Sequence, residues 1–471
     1  MLYSDVADRI EGLIVTGALR AGDRVPSVRT LSRQQHVSIS TVIQAYNVLE
    51  NKRLIEARPQ SGYYVCGRLQ PTPLEPRMPR TTSAPVRVEG AALVLEIFEA
   101  EQKGGVMPFA SALPAPELFP TTGFVRAINQ AARKLGPAMH TYQHAPGYLP
   151  LRRQIARRSL EAGVSVSPDE IIITVGAVEA INLCLRAVAR PGDTVAIESP
   201  TYFGILQVME SLQLRALEIP SHPRDGLSVD GLKALMSRQR IHAVVAMCNY
   251  NNPLGSMMPD DKKKELVDLL ARAEVPLIED DIYGDLPAKG ERPLAARSFD
   301  TDGNVLWCSS FSKTLSPGAR VGYVAPGRYF NEVKSLKFMN TIATPTVMQA
   351  AVAQFLEAGS YDRHVRRLRA QFADQVNRMS DAVCRHFPSE TRLSRPSGGY
   401  VLWVELPRTV DALELHNRAA RENIRFAPGP IFSARGGFKN FIRLNCGHPF
   451  SPASDKALGV LGRLVKESAD A

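Results

Sequence analysis

Residues 69–85 read LQPTPLEPRMPRTTSAP, five prolines in seventeen positions with few large apolar side chains. Proline fixes φ and has no amide to donate, so neither a helix nor a central strand can run through such a stretch. The 471-residue chain must therefore fold as a short unit ahead of the break and a long one behind it. The break itself, taken as residues 69–88, reads as an extended, semi-rigid linker of about 3.1 Å per residue where it is polyproline-like. The expected domains are residues 1–68, the linker, and 89–471.

Ahead of the break, Val6, Ile10, Leu13 and Ile14 recur at helical spacing. Glycines and Pro26 interrupt, and Ser27 then stands where a short helix ending near Gln35 needs its N-cap. After the turn HVSIS, Ser38 or Ser40 can cap a third helix reaching Lys52, with Val42, Ala45, Tyr46 and Leu49 inward. The next stretch, LIEARPQSGYYV, is two short apolar runs around RPQSG, the pattern of a β-hairpin. Helix, helix, turn, helix and hairpin make the plan of a winged helix-turn-helix.

Residues 2–66 resemble the DNA-binding region of the GntR regulators, through PSVR before the second helix, VSISTV before the third, and the wing RPQSGYYV. That resemblance implies double-stranded operator DNA as a partner. Ser38, Ser40, Thr41 and Gln44 stand at the exposed start of the recognition helix, where they can reach phosphates or base edges; Arg29 can reach phosphate or guanine, and Arg58 follows the backbone. Arg24, Arg33, Lys52 and Arg53 follow the phosphate backbone in the same reading. Many family members carry arginine where this chain has Ile39, and often another at Ile43. Ile39 can touch a thymine methyl, or base contact passes to Gln44 and the wing. Charge adds little, since residues 1–68 hold nine basic and six acidic side chains.

Behind the break, short apolar runs such as EIIIT, DTVAIE, HAVVAM, VPLIED and NVLWCS alternate with helix-length segments. That is the signature of a mostly parallel sheet covered by helices. From about residue 330 a long helical stretch leads to GGYVLWVEL and FIRLNCG, a smaller α+β lobe over roughly 330–471. The class is α/β.

Chemistry concentrates where those runs end. In SSFSKTLSPGAR one lysine, Lys313, lies among hydroxyls with Arg320 downstream. TVGAVEAI follows an apolar run and opens a helix, so the amides around Gly176, Ala177 and Val178 can hold an anion. ESPTYFG, NYNNPLG and IEDDIYGDL add Tyr202, Asn252, Asp280 and Tyr283. Jointly, residues 107–465 resemble a fold-type I, pyridoxal 5′-phosphate-dependent aminotransferase, and with the head the chain resembles the MocR subfamily of regulators.

The resemblance implies a role for each residue. Lys313 is the Schiff-base lysine, and Ser310, Ser312 and Arg320 bind the cofactor phosphate. Asp280, rather than Asp281, keeps the ring nitrogen protonated. Tyr283 and Asn252 hold the ring hydroxyl, and Tyr202 stacks on the ring. Leu254 stands where the family usually has threonine. Arg443 in FIRLNCG takes the carboxylate of an amino-acid or amine effector. Tyr142 in TYQHAPGYLPLR reaches the phosphate of a second subunit, which implies a homodimer with a shared site.

Three functions are compatible with this reading. One is a regulator that senses an amine through an external aldimine; the others are a working aminotransferase with an appended head, and a sensor of the cofactor itself. The head favours regulation, with residual transaminase activity compatible with it. The six cysteines are widely separated with no CxxC pair, which argues against a zinc site or disulfide framework. No run is long and apolar enough for a membrane helix, and the first residues lack a signal-peptide core. The expected location is the cytoplasm.

Overall fold

The computed structural model describes residues 2–20, 22–51, 54–58, 61–65, 74–79, 81–102 and 105–470. It divides into two compact units, Met1–Thr72 and Pro73–Ala471.

In the first unit, α1 (Leu2–Val15), α2 (Val28–Gln35) and α3 (Ile39–Asn51) precede an antiparallel hairpin of β1 (Ile55–Arg58) and β2 (Gly62–Val65). Ser27 caps α2 by accepting from the Thr30 amide at 3.2 Å, and Ser38 does the same for α3 through the Thr41 amide at 3.1 Å. Val6, Ile10 and Ile14 meet Leu31, Val42, Ala45, Tyr46 and Leu49 in one small core. Leu13, which shares their helical spacing, is 43% exposed. The Tyr46 hydroxyl donates to the Pro26 carbonyl, tying α3 to the segment ahead of α2. Lys52 and Arg53 lie outside the described residues, as does the side chain of Arg58.

The second unit is built on a nine-stranded sheet. Its strands are β3 (Val86–Arg87), β5 (Ile172–Thr174), β6 (Thr194–Ser199), β7 (Arg215–His222), β8 (Gly226–Leu227), β9 (Ala243–Ala246), β10 (Leu277–Asp280), β11 (Val305–Ser310) and β12 (Gly322–Ala325). The order is β3-β7-β6-β9-β10-β11-β12-β5, with β8 paired to β7. The five central strands run parallel, and β12 runs against them. The apolar runs face both ways. Val195 and Ile197 pack with the helices Ala177–Val188 and Phe203–Ser211, whereas Ala196 faces Val229–Met236 and Asp260–Arg272. Helices therefore cover both faces, as an all-buried parallel sheet requires.

A second sheet has the order β13-β14-β16-β15-β4, from β4 (Met107–Phe109), β13 (Arg392–Leu393), β14 (Val401–Glu405), β15 (Ile424–Pro428) and β16 (Phe441–Asn445). The lobe boundary expected near residue 330 is corrected here in two ways. β4 joins this sheet from far upstream, parallel to β15. The helix Thr346–Glu357 instead packs with Thr121–Leu135 and Leu149–Ser159 beside the large sheet. The 27-residue helix Ser360–His386 serves both lobes, burying Tyr361 and Val365 on one and Leu368 and Phe372 on the other.

The linker also differs from a free tether. From Leu74 onward its described residues lie against the body. The Leu393 amide donates to the Leu74 carbonyl at 2.9 Å, and Arg224 pairs with Glu75 at 2.7 Å. The Arg77 amide donates to Glu405 at 2.9 Å, and Val86–Arg87 forms β3 on the edge of β7. Proline-rich backbone leaves its carbonyls unpaired, and side chains of the body use them; Gln239, for example, donates to the Ser83 carbonyl at 2.8 Å. Among the described residues no helix is long and apolar enough to cross a membrane.

Candidate functional site

The C-terminal ends of β5, β6, β9, β10 and β11 open onto one cavity of about 290 Å³, the usual place for a ligand in a parallel sheet. Within a few residues of each strand's end the sequence turns to Gly, Asn, Asp or Ser, and residues of these segments line the space. Ala177 and Val178 line it from the helix that follows β5, and Tyr202 from the segment after β6. Asn252 follows β9, Asp280 ends β10 with Tyr283 just beyond, and Ser310, Ser312 and Lys313 close β11. Arg320, just ahead of the reversed strand β12, completes this wall.

Its electrostatics are unusual. Burial pushes the Lys313 amine down to about 8, with Arg443 as a second, smaller cause and Asp280 opposing. Burial also lifts the Asp280 carboxyl to about 7, against one hydrogen bond from the Ile282 amide. Tyr202 is pushed up to about 12 and Tyr283 higher still, both mainly by burial. Asp281 faces away from the cavity. Its carboxylate pairs with Arg292 at 2.5 Å, accepts from the Trp307 indole at 2.9 Å and from Asn249 at 3.0 Å.

Three expected residues lie off this wall: Gly176, one residue ahead of Ala177, and Arg443 and Tyr142. Arg443 is fully buried behind it; its guanidinium donates to the Ala110 carbonyl and lies 5.5 Å from the Phe432 ring centre. Tyr142 is 70% exposed and stacks near His144 at 5.6 Å, outside its own chain's cavity.

Other wall residues had no motif to announce them. Ser111, Ala112 and Leu113 follow β4 and cover the cavity. The Lys313 ammonium donates to the Ala112 carbonyl at 2.8 Å, and the Tyr400 hydroxyl donates to the same oxygen at 3.1 Å. Tyr400 also packs edge-on against Tyr283, 5.6 Å between centres. Met247, Phe203 and Ile282 add apolar surface.

Residues 116–453 match the family described as aminotransferase class I and II, and residues 2–65 match the bacterial regulatory proteins of the gntR family. The HTH-type transcriptional regulator YdcR of Escherichia coli is 39% identical over 466 residues, covering 99% of both chains. The chain belongs to the MocR subfamily of GntR-type regulators. A 2-aminoadipate transaminase of Thermus thermophilus is 32% identical over 80% of this chain and 94% of its own. The crystal structure of LysN, an α-aminoadipate aminotransferase from Thermus thermophilus complexed with N-(5′-phosphopyridoxyl)-L-leucine, superposes with TM-score 0.75. It is 29% identical, covering 82% of this chain and 96% of that one.

Pyridoxal 5′-phosphate is the cofactor of this MocR body, and the cavity fits it. Gly176 has φ +84°, and a Cβ there would lie 2.6 Å from the Arg320 guanidinium, so backbone and cation can approach one anion together. The Asn252 Oδ1 atom is buried with no hydrogen-bond partner, ready for a hydroxyl donor.

Proposed function

We propose that this regulator binds an amino acid or related amine at the Lys313 cavity and that the ligand alters how the winged head engages operator DNA. The observation that carries the reading is that one chain joins a helix-turn-helix to a cavity holding Lys313, Asp280, Tyr283, Ser310, Ser312 and Arg320 together. An enzyme alone needs no such head.

When bound, pyridoxal 5′-phosphate supplies an aldehyde that condenses with amines and a ring that withdraws electrons. The chain's own residues would do the rest. Lys313, with its pKa lowered to about 8 by burial, would be the amine that holds the cofactor until an effector amine takes its place. Asp280 would hold a proton on the ring nitrogen, while Tyr283 and Asn252 orient the ring hydroxyl and Tyr202 covers the ring face. Ala177 and Val178 amides, Ser310, Ser312 and Arg320 would hold the phosphate. Arg443 would take the effector carboxylate, which requires it to exchange the Ala110 carbonyl for the ligand. Tyr142, exposed and aromatic, would serve the site of a second subunit in a cytoplasmic homodimer.

The test is a spectral titration of the full chain, loaded with cofactor, against a panel of amino acids and amines, repeated with DNA from upstream of its own gene. Wild type should be yellow and Lys313→Ala colourless; ligands that change the spectrum should change DNA affinity. Retention of Lys313 beside Asp280 also suits a working transaminase. Steady turnover of an amino acid and a 2-oxo acid at about 1 s⁻¹ or faster, with no effect on DNA, would favour that second reading.

A further inference from the structure

The exposed face of α3 carries Ser38, Ile39, Ser40, Ile43, Gln44 and Asn47. Its first polar groups are already engaged. The Ser38 hydroxyl accepts from the Thr41 amide at 3.1 Å and lies 2.8 Å from both the Ser40 and Thr41 hydroxyls. Ser38 thus caps the helix, and the Ser40 and Thr41 hydroxyls are drawn toward it.

What projects beyond that cap is apolar. Ile39 is 50% exposed and Ile43 is 43% exposed. Four residues apart on a helix, they stack on one face, while Val42, Ala45, Tyr46 and Leu49 fill the core behind. Gln44 stands beside them, exposed. Arg29 and Arg33 are exposed on α2, which packs against α3, and Arg24 is exposed on the segment ahead of α2. A surface with an apolar centre and cationic surroundings complements a major groove, where phosphates rim the base edges. The thymine C5-methyl is the apolar group on those edges, and glutamine pairs with the adenine N6/N7 edge.

Resting on the DNA-binding reading above, we infer that Ile39 and Ile43 read thymine methyl groups while Gln44 takes an adenine edge. The operator half-site is therefore centred on A·T pairs under α3.

The test uses the full chain, loaded with cofactor, and a duplex selected from a random pool by binding to it. The selected duplex is compared with the same duplex carrying uracil for each half-site thymine, which removes only the methyls. Each buried methyl is worth about fourfold in affinity, so two should make the uracil duplex about 15-fold weaker at fixed salt. Ile39→Ala should weaken binding to the thymine duplex and shrink the thymine-to-uracil ratio by about fourfold. Its salt slope should stay unchanged, because an apolar contact releases no counter-ions. Ile39 is half exposed, so the variant keeps its core, and Ile39→Leu is the control that retains discrimination.

Equal affinity for the two duplexes, or selection of a guanine-centred half-site, would overturn the inference while leaving DNA binding intact. An unchanged ratio in Ile39→Ala together with altered oligomeric state would overturn it too, assigning the stripe to protein contact. Failure to enrich any duplex would sink the DNA-binding reading, and this one with it.

Discussion

Gly176 brings the backbone at the head of the Ala177–Val188 helix close to Arg320. Its φ of +84° is one that side chains rarely adopt, and a Cβ would press on Arg320 at 2.6 Å. Gly176→Ala should cost about 1–3 kcal/mol of stability through backbone strain and weaken cofactor binding by about tenfold or more. Gly192 makes a control, because its φ is +91° and a Cβ there meets nothing within 4 Å. Gly192→Ala should lose stability yet keep its cofactor affinity, measured by thermal melting and by absorbance titration. Equal affinity loss in both variants would assign the effect to strain alone. Lys313 gives a second expectation at this scale. The neutral form of Lys313 is the one that would condense with the cofactor's aldehyde, and burial lowers its pKa from the ordinary 10.5 to about 8. The loading rate should rise with pH and level off above about 8. A rate in stopped-flow absorbance that climbs without a break past about pH 9.5 would contradict the buried lysine.

At the scale of elements, the segment from Leu74 to Arg87 has one partner region on each sheet. Glu75 pairs with Arg224 beside β8 at 2.7 Å, and with Arg395 just after β13 at 3.9 Å. The same carboxylate thus spans the large and small lobes. That segment is continuous in sequence with the head. Both arginines are exposed, so water and salt screen the pairs and they add little to the stability of the body. Glu75→Ala should leave the melting temperature of the body nearly unchanged while trypsin cleaves at Arg77 several-fold faster. Cleavage at the wild-type rate would show that the strap is held elsewhere.

This clasp was not legible in the sequence, and the reason is physical. Proline spacing reports local extension, whereas Glu75 finds Arg224 some 149 residues away. The same limit explains β4, three residues with no periodic pattern, and Tyr400, which shares the Ala112 carbonyl with Lys313. The strand ends were legible because each apolar run stops at residues with positive-φ, capping or hydrogen-bonding chemistry, as Gly176 and Asn252 do. Arg443 shows the converse. Its motif marked the strand, yet β16 places the guanidinium behind Ala110 rather than on the cavity wall.

For the whole molecule the question is whether two sites on one chain share a free energy. If an effector changes DNA affinity by some factor, DNA must change effector affinity by the same factor, because both are legs of one thermodynamic cycle. Couplings of this kind are about 5–150-fold. The expected result is therefore a pair of equal factors. One comes from DNA titrations with and without effector, the other from cofactor absorbance titrations with and without operator, at one salt concentration. Equal salt matters because phosphate contacts make DNA affinity fall steeply as salt rises. The Lys313→Ala chain should show a factor near one in both directions while still binding DNA. Unequal factors would mean that the ligand is being consumed, so that the titration is not at equilibrium and the cavity is turning over as a transaminase. Factors of one in the wild type, with DNA binding intact, would leave the cavity and the head as independent functions on one chain.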